Sequence, residues 1–488
     1  PTSTLAPAEP FVIPTPDVAT TPAPVNTANH YHATEAELAG TAYAMVDKTT
    51  NTLTFFRSTN GKDFQGNTIN LNFDAETDNY LYFTVSETSC FSHTNTSRWS
   101  RYSNYIDKVV VRDALRPVCG CLMFAHLGTV ESIDLAKLDT SRMQHMGAMF
   151  YSTQVPSLDV TTFDTSACTE MFTMFASTYM TGNLDVTGFD TSNVTDFTAM
   201  FENYHGTELD VSTFDTSSAV EMNRMFGFCT NIETLDLRHF DTSNVVDMSQ
   251  MFNECENLSD LKISDKFDTS NVTSMSHMFD SCTNLVYVNT SNWDTGNVTS
   301  MYKLFNECET LSYVDVSGFD TSNVKDVRYM FYLCKNLKEL DVSNWDTSKV
   351  SNLSHIFYHC SKLRELDVSN WDTSNVTNMD WAFGCCDNLE ALDVSGFDTS
   401  KVTSLERTFF NSDRIAELDV SNWDTSKVTS MYMLFSNCKN LSGLNMTNWD
   451  TSNVTTMSSM FSGCSSLPEL DLSSFDTSNV TYMYNMFQ

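Results

Sequence analysis

Positive charge is what this chain most lacks. Its 488 residues carry 27 Lys plus Arg against 62 Asp plus Glu, a formal net charge of −35. Nucleic acid and anionic membrane both require a cationic surface, so neither is an expected partner. No apolar run approaches the ~18 residues of a membrane-spanning helix, which argues against direct insertion by that route. The spacings of common catalytic sites are also missing: there is no HExxH helix, no nucleophile elbow and no glycine-rich phosphate loop. Proline is scarce except at the start, where residues 1–30 hold seven of the ten and no Lys or Arg. Pro and Thr at that density favour an extended, unpaired chain, so residues 1–30 read as a linker or stalk. The chain opens on Pro1 without a leader and stops inside a repeat at "YNMFQ", so a longer protein with its own anchor is expected.

What the chain has is repetition. An Asp-Thr pair recurs with its Asp at 139, 164, 190, 215, 241, 268, 294, 320, 346, 372, 398, 424, 450 and 476, every 26 residues from Asp268 onward. A Phe stands eleven residues after each of these aspartates, from Phe150 to Phe487, and an aromatic stands just before every one except Asp139, where Leu138 takes its place. A period in this range marks rungs that cannot bury their apolar face alone and must stack. "LDVSNW" puts Leu340 and Val342 on one face and Glu339, Asp341 and Ser343 on the other, as a strand does. Val454, Met457, Met460 and Phe461 are spaced as one face of a short helix. The expected fold is therefore a solenoid of about 14 strand–turn–short-helix rungs over 126–488. Residues 31–125 do not repeat; "AYAMVDKTTNTLTFF", "YLYFTVSE" and "YIDKVVVRD" read as strands of a small β-rich cap covering the open end. "WDTSNVT" reads as corner chemistry, with Asp and Ser accepting from turn amides and Thr forming a ladder. The other reading of those Thr is an exposed array matched to ice.

Nine of the fourteen cysteines occupy one column: Cys229, Cys255, Cys282, Cys308, Cys334, Cys360, Cys386, Cys438 and Cys464, with Ser412 filling the gap. Stacking brings neighbours to about 5 Å, within disulfide range. Side chains of a ladder point the same way, however, and one Ser is tolerated, so the column reads as buried thiols, with inter-rung disulfides and a metal as alternatives. Cys90, Cys119 and Cys121 lie outside the column and could form one disulfide in a secreted protein. His355 and His359 beside Cys360 are spaced to hold zinc, but the equivalent positions vary between rungs, and a solvated helix face is the favoured reading.

"CxxLxxLDVSxWDTSxVTxMxxMFxxC", in register over residues 139–488, resembles the BspA-type leucine-rich repeats of bacterial and protist surface proteins. It is most similar to the long variant found in mycoplasma surface lipoproteins and Gram-positive surface proteins, and the cap is similar to the segment preceding those repeats. The resemblance implies a solenoid of the leucine-rich-repeat type and a secreted, extracellular protein at the cell surface that acts in adhesion. It transfers no catalytic residue.

The remaining candidates lie on the strand face. One column is Asp in eleven rungs, including Asp315, Asp341, Asp367, Asp393 and Asp419. Like charges about 5 Å apart repel by about 1 kcal/mol per pair even in water. Hydrogen bonds from neighbouring Ser and Thr, or bound Ca²⁺, are the two ways to offset that. The column is interrupted near Lys262, Tyr287, Asn289 and Tyr313, and two exposed tyrosines there make the candidate contact patch. Taken together, these features describe a non-catalytic adhesin or binding module with no cofactor beyond that Ca²⁺. Its partner would be host matrix, mucin, a glycan or another cell. The alternative is a self-assembling subunit of a surface filament or layer.

Overall fold

The structure is a computed structural model that describes residues 17–89, 98–468 and 470–488. The chain divides into two compact units. The N-terminal unit is Ala19–Thr283 with Asn297–Asn306; the C-terminal unit is Asn284–Gly296 with Glu307–Gln488.

The N-terminal unit begins with the cap. β1 (Thr41–Asp47) and β2 (Thr52–Ser58) pair antiparallel across the Thr-Thr-Asn turn, where Asn51 takes a left-handed φ of 50°. β3 (Tyr80–Thr84) joins the far side of β1, and β4 (Lys108–Val111) runs parallel to β2. The sheet continues into Ser132–Asp134, parallel to β4, so the cap hands its strand direction to the first rung. Its core is aromatic: Phe55 packs edge-on to Trp99 at 5.1 Å and to Phe124 at 5.7 Å. The buried Trp99 indole donates to the Met123 carbonyl at 2.9 Å, which satisfies the polar end that burial would otherwise strand. Phe124 then stacks on Phe150 at 5.4 Å, the first ring of the repeat column.

Residues before the cap lie against the rungs. Thr20, Ala23 and Asn26 donate their amides to the carbonyls of Arg238, Ser212 and Thr187, and Tyr31 donates to Thr162. Residues 1–16 of the expected linker lie outside the described residues; from Thr20 to Tyr31 the chain forms no strand or helix, yet it is not unpaired, because its amides are satisfied by successive rungs.

In both units the Phe column is the core. Phe150, Phe175, Phe201, Phe226, Phe252 and Phe279 stack face to face in the N-terminal unit, with successive centroids 5.3–5.9 Å apart. Phe331, Phe357, Phe383, Phe409, Phe435 and Phe461 do so in the C-terminal unit at 5.6–6.0 Å. Every one of these twelve is buried, whereas Phe487 is exposed.

The corner motif can be read residue by residue at Asp372–Thr377. Asp372 accepts from the Ser374 amide at 2.9 Å, bending the chain. Thr373 Oγ1 donates to the carbonyl of Asp398, one rung on, at 3.0 Å. Asn375 Nδ2 and Thr377 Oγ1 donate back one rung, to Ser348 O at 2.8 Å and Ser351 O at 3.1 Å. Val376 is fully buried. The Asp thus shapes its own corner while the Thr and Asn side chains tie the rung to its neighbours, which is why the sequence is copied so closely. The Thr of the Asp-Thr pair is buried in every rung except the uncovered last one, so the ice-matching reading is wrong.

One expectation needs correction: the described rungs contain no short helices. The segment from Met457 to Phe461 buries the face a helix would, yet Ser459 sits at φ 55°, and Met460 N bonds Met457 O at 3.2 Å. That is a four-residue turn with a left-handed third residue, as in a type II turn. The reason lies in the amides. Met457, Ser459 and Phe461 give theirs to the carbonyls of Tyr482, Tyr484 and Met486 in the next rung, and an α-helix would have kept those amides for itself. Strands are shorter than expected too, reduced to pairs such as Glu365–Leu366 beside Ala391–Leu392, because the Asp that follows folds back on the Ser two residues later. A second line of parallel bridges, Asn352 to Asn378 to Ser404 to Ser430 to Thr456, holds the turn side. Each unit is a β-solenoid of the leucine-rich-repeat type.

Candidate binding surface

The cysteine column is a hydrogen-bond ladder. Cys229, Cys255, Cys282, Cys308, Cys334, Cys360, Cys386, Cys438 and Cys464 are all free thiols. Cys360 donates to Phe331 O at 3.2 Å and Cys438 to Phe409 O at 3.0 Å, in each case the Phe carbonyl one rung back. Ser412 does the same to Phe383 O at 2.7 Å, and Thr178 to Phe150 O at 2.8 Å. The position asks for a small side chain with one donor, which explains why Ser and Thr replace Cys there. Burial raises the Cys334 and Cys438 thiols well above their ordinary pKa, which keeps them protonated and unreactive. We expect the ten buried free cysteines to react with a thiol reagent only after denaturation, without added reductant. A native protein that titrates all of them would contradict the ladder. Cys119 in the cap is disulfide-bonded and Cys121 is free; Cys90 lies outside the described residues.

The acidic column answers its own repulsion with hydroxyls. Asp341 Oδ1 accepts from the Ser343 amide at 3.1 Å and its hydroxyl at 2.6 Å. Asp315, Asp367, Asp393 and Asp419 accept from Ser317, Ser369, Ser395 and Ser421 in the same way. These bonds hold the Asp367 and Asp419 carboxyls below the usual range. Asn289 keeps the arrangement without the charge, accepting from Ser291 at 2.8 Å. Among the described residues no three groups of this column converge as metal ligands.

The four residues of the expected contact patch fare differently. Lys262 belongs to the N-terminal unit and pairs with Asp260 at 3.0 Å. Tyr287 and Tyr313, in the C-terminal unit, pair through a parallel bridge and stack with centroids 6.4 Å apart. They are half-buried rather than exposed, and burial, with Asp315 nearby, raises both phenols.

Beyond Tyr313 opens a groove of about 820 Å³ over four rungs of the C-terminal unit. Tyr313, Asp315, Lys338, Asp341, Arg364 and Glu365 are among its walls. Lys338 and Arg364 are exposed on adjacent rungs, at equivalent positions three residues before Asp341 and Asp367. Among the described residues neither has a carboxylate within ion-pair distance, while Lys335, Arg414 and Lys439 nearby are all paired. Two unpaired cations in a chain of net charge −35 were missed by reading the Asp column alone. The signal was present in the variable column: across the fourteen rungs that position is basic only at Lys338 and Arg364.

On the turn side of the same unit, His355 is not solvated. It lies between Tyr329, at 4.5 Å, and Trp381, at 5.9 Å, and Arg407 caps Trp381 at 4.7 Å. His355, His359 and Cys360 do not converge as metal ligands among the described residues. Burial pushes the His355 imidazole down to about 4. Since its unfolded value is about 6.5, the unfolded chain binds the extra proton, and stability is lost as pH falls from about 6.5 towards about 4. We expect His355→Tyr to flatten the slope of urea midpoint between pH 6.5 and 5; an unchanged slope would assign it to the carboxylates instead.

Among solved structures, three leucine-rich-repeat proteins are matched. One from Leptospira interrogans is 12% identical, with 80% of this chain and 86% of that one covered and a TM-score of 0.25. One from Bacteroides ovatus is 13% identical over 73% and 88%, TM-score 0.31, and one from Eubacterium ventriosum 12% over 93% and 93%, TM-score 0.27. Among curated proteins none matches the sequence. The repeats match the family described as "Mycoplasma protein of unknown function, DUF285" over residues 121–203, 177–265, 258–340, 334–418 and 403–488. With that match running through every rung, the chain belongs to this family.

Proposed function

We propose that the protein is a non-catalytic binding module of a cell surface, an adhesin of the BspA type, and that its groove takes an acidic glycan of host mucin or matrix. Solenoids of this kind commonly bind protein or other ligands along their extended faces. The observation that carries the reading is the unpaired Lys338 and Arg364 beside Tyr313 in an otherwise acidic surface. A sialylated or sulfated sugar offers what those walls complement. Its anionic group meets the two cations, its hydroxyls donate to Asp315, Asp341 and Glu365, and its apolar face covers the tyrosine ring. The surrounding negative field repels anionic chains elsewhere and leaves this segment as the tolerant one. Binding to immobilised mucin should fall sharply after enzymatic removal of sialic acid and sulfate. Equal binding to native and stripped mucin would overturn the proposal.

A further inference from the structure

The Asp-Thr aspartates of the first two rungs hold the N-terminal segment rather than only their own corners. Asp139 Oδ2 accepts from the Ala33 amide at 2.7 Å. One rung on, Asp164 faces two histidines that the repeat does not supply. In "His30-Tyr31-His32" the Tyr31 amide is fixed to Thr162 O at 3.0 Å, and the alternation of an extended chain sends His30 and His32 to the same side. A ring nitrogen of each histidine and a carboxylate oxygen of Asp164 all lie within 4.8 Å of one another, the one such set of three among the described residues.

We propose that His30, His32 and Asp164 bind one divalent transition-metal ion, zinc foremost, which clips the N-terminal segment to the corner of the second rung. His32 Nε2 stands 3.7 Å from Asp164 Oδ2, too far for a hydrogen bond. It is close to the roughly 3.4 Å that separates two ligands bonded at about 2.1 Å to one tetrahedral ion. The Asp164 carboxylate is already aimed, because Ser166 holds Oδ1 through its amide at 3.0 Å and its hydroxyl at 2.7 Å and leaves Oδ2 available. His30 Nε2 lies 3.0 Å from Gly188 O. Donating that proton to a backbone carbonyl fixes the tautomer and leaves Nδ1 for the metal, the usual support for a ligating histidine. Imidazole nitrogens with one carboxylate suit zinc, and the exposed side of His32 leaves the fourth position to water. Although burial opposes it, the two hydrogen bonds from Ser166 hold the Asp164 carboxyl below the ordinary carboxylate range. Both histidines must be neutral to ligate, so protons compete with the metal for the site.

The test uses the full chain without an affinity tag, freed of metal by a chelator. Calorimetric titration with zinc chloride at about pH 7.5, above the ordinary histidine value, should give one site per chain, and cobalt in its place should produce visible d–d bands. His32→Ala and Asp164→Asn should each weaken zinc at least tenfold, with His126→Ala unchanged. Zinc should also slow amide exchange at Tyr31 and Ala33 in the wild type and not in those two variants. The proposal is overturned by saturation only at millimolar zinc, by wild-type affinity in His32→Ala, or by tight binding that leaves the exchange of Tyr31 and Ala33 untouched.

Discussion

Phe357→Ala should lower the stability of the C-terminal unit by about 3–5 kcal/mol, the range for deleting a buried phenylalanine. The ring is fully buried between Phe331 at 5.9 Å and Phe383 at 6.0 Å, with Trp371 tilted against it at 6.0 Å. Parallel strand pairing holds rungs at about 4.8 Å, so the neighbours cannot close over the space left behind. Lys401→Ala, at an exposed position bonded only to Asn375 Oδ1 at 2.7 Å, should stay within about 0.5 kcal/mol and serves as the control. Urea unfolding followed by tryptophan fluorescence reads the difference. Because repeat arrays depart from two-state behaviour, amide exchange across Phe331–Phe383 should accompany it. Equal midpoints for the two variants would mean that the stacked column is not the source of stability.

Lys338→Glu combined with Arg364→Glu should weaken mucin binding about 100-fold. A hydrogen bond to a charged group is worth about 1.5–3 kcal/mol, and each 1.4 kcal/mol is a factor of ten, so two such contacts reach that figure at the lower bound. Tyr313→Ala should cost less, about tenfold, since its ring supplies contact area rather than charge. Raising salt should weaken the wild type and leave the double variant almost indifferent, because little attraction remains to be screened. Lys401→Glu should bind as the wild type does; if it falls equally, the effect is one of net charge and the groove has no special part in it.

Fourteen copies of a motif make the chain its own alignment, and that is why so much of the fold was legible. Positions that never vary, such as those of Phe331 and Thr373, proved to be core or inter-rung donors. Period alone misled at Met457–Phe461. Its spacing reports which side chains are buried, and a helix and a pair of turns bury the same ones. What separates them is where the amides go, and that depends on the neighbouring rung. The cysteines were legible as buried thiols, but their hydrogen bonds to the Phe carbonyls were not, since the acceptor is a main-chain atom. The candidate site was half legible. Tyr313, Asp315 and Asp341 stand out in the acidic stripe and its interruption, whereas Lys338 and Arg364 stand in a column that varies from rung to rung and so carries no repeat signal. His30 and His32 lie outside the repeat, so nothing periodic drew attention to them; the His-x-His spacing itself was the available signal.

The central claim is that recognition occurs on the Tyr313–Glu365 groove. Hydrogen–deuterium exchange of the full chain, with and without saturating mucin glycopeptide, tests it without any substitution. The account predicts slowed exchange confined to the rung segments around Tyr313–Ser317, Lys338–Asp341 and Lys362–Glu365, with the cap strands β1 and β2 unchanged. Protection appearing instead on the cap, or on the turn side around Tyr329–Trp381, would contradict it.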